Sequence, residues 1–77
     1  MKLFHYTLED EDFKQYEGEV NAVPEGYIEY EATMGGGMLF YKIEDKKVTD
    51  IISQSLTEEA SRRRVDDFIS ALNVNLF

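Results

Sequence analysis

A chain of 77 residues with 43% hydrophobic and 13% aromatic content has room for one domain, residues 1–77, with a thin two-layer core and enough apolar material to fold without a staple. The absence of cysteine excludes a disulfide framework, a thiolate nucleophile, an iron–sulfur cluster and any sulfur-ligated zinc site. Sixteen acidic against eight basic residues, a formal net charge of −8, argue against direct binding to nucleic acid or to anionic lipid. No leader pattern and no membrane-length apolar run stand in the sequence, so a soluble, cytoplasmic protein is expected.

Lys2 to Leu8 alternates Phe4, Tyr6 and Leu8 with Leu3, His5 and Thr7, which predicts a strand. Thr7 to Gly18 reads two ways. Acids at Glu9, Asp10 and Glu11, an i, i+3 pair of Phe13 and Tyr16 and a terminal Gly18 favour a short helix, whereas a loop running into an extended segment fits nearly as well. Glu19–Val23 and Tyr27–Met34 are extended candidates joined by Val23-Pro24-Glu25-Gly26, a type I turn pattern. In the second of them Ile28, Tyr30, Ala32 and Met34 alternate with Tyr27, Glu29, Glu31 and Thr33.

Gly35-Gly36-Gly37 then reverses the chain. Met38–Glu44 resumes the alternation, Glu44-Asp45-Lys46-Lys47 is a polar turn, and Val48–Gln54 returns as a strand on its β-branched content, although Val48, Ile51 and Ile52 also fit helical spacing. Thr57 caps a helix with Glu58 and Glu59 in its first turn. Val65, Phe68, Ile69 and Leu72 then fall at i, i+3, i+4 and i+7, an apolar stripe on a helix from about Glu58 to Asn73. The expected fold class is α+β: two layers, an antiparallel sheet of four to five strands with the C-terminal helix on one face and a possible short helix after the first strand.

One helix covers one face of such a sheet. Parity turns Phe4, Tyr6, Ile28, Tyr30, Leu39, Tyr41 and Ile43 toward the helix, and Leu3, His5, Tyr27, Met38 and Phe40 away from it. The second set is too apolar to meet only water. Either the N-terminal half or the tail folds over it, or one strand has slipped register, or it contacts a partner or a second copy, with Tyr27 and Phe40 as anchors.

All the net charge lies between Glu9 and Glu31, where nine acids face one Lys14. The C-terminal helix balances itself, since Glu58 with Arg62 and Glu59 with Arg63 are i, i+4 pairs. Glu9-Asp10-Glu11-Asp12 lacks the glycine and closing glutamate of a calcium loop, and Lys14 stands where a ligand is needed. The triple glycine leads into a strand, without the helix that phosphate cradles require. His5 has no companion nucleophile in the sequence, so neither an enzyme nor any cofactor or metal is expected.

The composition points instead to a small acidic protein-interaction module, an inhibitor or regulator that binds the basic, nucleic-acid-binding surface of a partner as a nucleic-acid mimic. That character is shared in general terms by small inhibitors carried by phages and other mobile elements. Its contact residues would be Glu9, Asp10, Glu11, Asp12, Glu29 and Glu31, with Tyr27 and Phe40. The alternative is a homo-oligomeric structural or accessory subunit, such as a homodimer, that associates through the open sheet face and uses its acidity for solubility.

Overall fold

A computed structural model describes residues 2–18, 20–30 and 37–75. The elements in chain order are β1 (Lys2–Thr7), β2 (Asp12–Tyr16), β3 (Ile28–Glu29), β4 (Met38–Glu44), β5 (Lys47–Ser55) and α1 (Glu58–Asn75). The five strands form one sheet in the order β2-β1-β5-β4-β3, with every neighbouring pair antiparallel. The last strand in sequence is therefore the central one, and α1 packs on it and on β1 to complete an α+β two-layer fold.

The short helix expected after the first strand is replaced by β2, which forms a hairpin with β1. Phe13 and Tyr16, the pair that suggested a helix, go to opposite faces. Phe13 pairs with Tyr6 and stacks on Phe4 at 4.9 Å between ring centroids, while Tyr16 pairs with Leu3. The acids Glu9, Asp10 and Glu11 form the hairpin turn, where Glu11 has a φ of 52°. Burying the Phe13 ring against Phe4 outweighs the weak preference of acids for a helix start.

Two further expectations change in detail. The segment from Val20 to Val23 is irregular, and β3 is confined, among the described residues, to Ile28–Glu29. The Pro24 turn lies one residue later than its sequence pattern suggests, because Tyr27 N–H donates to the Pro24 carbonyl at 3.0 Å. Gly26 then takes the third position of the turn with a φ of 85°, the backbone that a type II turn reserves for glycine.

The C-terminal half follows its sequence closely. Val48–Gln54 lies within β5, and Asp45 and Lys46 join β4 to β5 with φ of 51° and 67°, a type I′ turn. A bulge between Lys42 and Ile43 puts Asp50 opposite Lys42 but Val48 opposite Ile43, which brings Val48 to the helix side. Thr57 caps α1: Ala60 N–H donates to its Oγ1 at 3.0 Å and Ser61 N–H to its carbonyl at 3.1 Å. Val65 and Phe68 are buried against Leu39 and Ile51, with Ile69 and Leu72 packed around them. Tyr30 and Tyr41 reach the Phe68 ring at 4.8 and 5.0 Å. Ile43, placed on the same face by parity, remains 47% exposed at the sheet's end.

Candidate partner-binding face

The strand order dictates what happens on the other face. β2 and β3 are the two edges, yet they are consecutive in sequence, so the chain between Tyr16 and Ile28 has to cross three strands. Four strand spacings are about 19 Å, well within reach of the eleven intervening residues. Val20 N–H donates to Gln54 Oε1 at 2.7 Å, and Gln54 pairs with Leu3 and Met38 on the face away from α1. The crossover therefore runs over the helix-free face and supplies cover that one helix could not.

Phe40 lies on that face opposite Ile52, as parity predicts, but it is 1% exposed. A ring with no accessible surface belongs to the core and has nothing to offer a partner, which corrects its expected role as an anchor. Tyr27 is half-buried beside a cavity of about 320 Å³. Leu3 and Ile52 give this cavity apolar walls, and Phe4, His5, Tyr16 and Glu17 line the rest. Burial raises the Tyr27 phenol above its ordinary pKa, and the negative charge of Asp50 adds to the effect.

His5 belongs to a short relay. Thr49 Oγ1 donates to Asp50 Oδ2 at 2.9 Å, His5 Nε2 lies 2.9 Å from Asp50 Oδ1, and the Tyr16 hydroxyl is 3.4 Å from His5 Nδ1. A neutral imidazole satisfies this arrangement, with Nε2–H donating to the carboxylate and Nδ1 facing the phenol as acceptor. The chemistry on offer is orientation and polarity at the cavity side. The pairing of His5 with Asp50, 45 residues apart, depends on β1 lying beside β5, and no periodicity in the sequence signals which strands become neighbours.

The acids divide into two groups. Glu9, Asp10 and Glu11 are exposed in the β1–β2 turn, and Glu11 and Asp66 of α1 both raise the Tyr6 phenol pKa, after the larger effect of its burial. Asp12 pairs with Thr7 across the hairpin and holds Lys14 at 3.1 Å. Glu17 and Glu25 are exposed on the crossover and Glu29 on β3. Glu9–Asp12 and Glu29 thus stand at opposite edges of the sheet rather than in one patch. Glu31 lies outside the described residues. The crossover belongs to a stretch from Gln15 to Tyr41 that carries five acids and neither lysine nor arginine.

On α1 the basic residues are engaged locally. Arg62 reaches Glu58 at 3.6 Å and lies 4.4 Å over the Phe13 ring, and Arg63 reaches Glu59 at 3.4 Å. Among the described residues no three His, Asp or Glu side chains converge as metal ligands, and no helix is long and apolar enough to cross a membrane. Compared with known protein families, curated proteins and solved structures, the chain has no significant match.

Proposed function

We propose that this chain is a non-enzymatic, acidic protein-interaction module of the cytoplasm that occupies the basic, nucleic-acid-binding surface of a partner protein as a nucleic-acid mimic. The observation that carries this reading is the crossover: a stretch without any lysine or arginine laid over the helix-free face, with Glu17 and Glu25 exposed along it and Glu29 exposed on β3 where it ends. Glu9, Asp10 and Glu11 extend the same sign of charge around the β2 edge. A predominantly negative surface steers a basic partner from a distance, and its effect decays with ionic strength. The helix contributes no comparable field, because Arg62 and Arg63 are answered by Glu58 and Glu59.

The test uses the whole chain as bait for basic nucleic-acid-binding proteins, followed by association kinetics with the one captured. Replacing Glu17, Glu25 and Glu29 together by Gln is expected to lower the on-rate by about tenfold, as is raising salt from about 0.05 to about 0.3 M. Arg63→Ala leaves it unchanged. Binding that ignores both the acids and the salt contradicts the reading.

A further inference from the structure

The cavity under the crossover has a chemical character of its own. Its walls are apolar at Leu3 and Ile52, two tyrosine rings border it, and Glu17 is its one acid among the described lining residues, which include no lysine or arginine. Two lysines of the same sheet face are occupied elsewhere, Lys14 with Asp12 and Lys42 with Glu44, each at 3.1 Å. The ring nitrogens of His5 are committed to Asp50 and Tyr16. From this we infer that the cavity is a binding site for a small aromatic amine, its ring against Leu3 and Ile52 and its ammonium group toward Glu17 and the tyrosine faces.

The size and the charge select that class. A volume of about 320 Å³ lies at the small end of ligand sites. Apolar walls reward an organic body, and the aromatic rings of Tyr16 and Tyr27 in the lining suit a cation. An anionic ligand would meet Glu17 and, behind His5, the carboxylate of Asp50, within a protein of net charge −8. A neutral aromatic would fill the space but gain nothing from Glu17. A lysine side chain from another protein would bring the cation without the ring that the walls accommodate. The inference is independent of the partner reading, since it concerns a small molecule bound by the chain alone.

Phenethylamine and 2-phenylethanol differ only in ammonium against hydroxyl, and make the decisive pair of probes. Titrated into the full chain and followed by NMR of side-chain methyl and aromatic groups, phenethylamine should shift Leu3, Ile52 and Tyr27 saturably. The alcohol should bind at least about tenfold more weakly, the difference expected of one charge–acid contact plus cation–π attraction. Glu17→Gln, at an exposed position, should remove most of that difference while leaving the alcohol unaffected. Three results overturn the inference: no saturable shift at these residues, equal affinity for the two probes, or affinity for N-acetyl-lysine methylamide equal to that for phenethylamine.

Discussion

At the scale of single residues, the polar atoms inside the molecule tell more than the apolar ones. Ser53, Ser55 and Ser61 are fully buried around the β5–α1 connection, and their hydroxyls have no hydrogen-bond partner among the described residues. Ser53 stands between Phe4 and Leu39 across the sheet, each 1% exposed. A buried hydroxyl without a partner costs about 1–3 kcal/mol of desolvation, and alanine is also the better helix former. Ser61→Ala should therefore stabilise the fold by about 1 kcal/mol, read as a rise in thermal midpoint of about 4–8 °C; a fall would show that the hydroxyl is bonded. Tyr27 gives a second check. Its pKa is raised in the folded state, so the unfolded chain releases this proton first. Its contribution to stability is full below the ordinary tyrosine pKa of about 10 and is lost as pH rises through the higher folded value. In an alkaline absorbance titration, the difference between wild type and Tyr27→Phe should be a phenol ionising late. A difference curve centred at or below the ordinary value would contradict the burial of the Tyr27 phenol.

At the scale of elements, the turns separate what local sequence encodes from what packing decides. The β4–β5 turn is type I′, yet it uses Asp45-Lys46, with Lys46 at φ 67°. Relief of the left-handed strain, about 1–2 kcal/mol, exceeds the added flexibility of an unfolded glycine, about 0.4–1 kcal/mol. Lys46→Gly should thus gain about 0.5–1 kcal/mol in denaturant unfolding, and a loss would show that the turn is of another type. The helix and its cap were legible, because Thr57, the acids after it and the stripe from Val65 to Leu72 all act within a few residues of each other. So was the two-faced parity of β1 and β4. The β2 hairpin was not. Phe13 satisfies helical spacing with Tyr16 as readily as it satisfies stacking on Phe4, and only the tertiary contact chooses between them. The same limit hid the cavity: Leu3, Tyr16, Tyr27 and Ile52 meet only because β5 inserts between β1 and β4 and the crossover returns over them.

At the scale of the whole molecule, one topological fact links fold and function. Consecutive strands at opposite edges force the chain between Tyr16 and Ile28, which has neither lysine nor arginine, to lie across the face that the helix leaves open. That arrangement holds Val20 on Gln54 and leaves Glu17 and Glu25 of the crossover, and Glu29 of β3, exposed. The cover over the sheet and the proposed binding surface then share one segment, with Val20 drawn to the sheet and Glu17 and Glu25 exposed. Mimicry of nucleic acid requires that the partner cannot hold both ligands at once. The most direct measurement is a competition: the captured partner, loaded with fluorescently labelled double-stranded DNA, is titrated with this chain, and anisotropy is followed alongside native mass measurement of the complexes. The account predicts full displacement of the DNA, with no ternary species and with the displacing concentration raised in the Glu17, Glu25 and Glu29 to Gln variant. A stable complex containing partner, DNA and this chain together would contradict it.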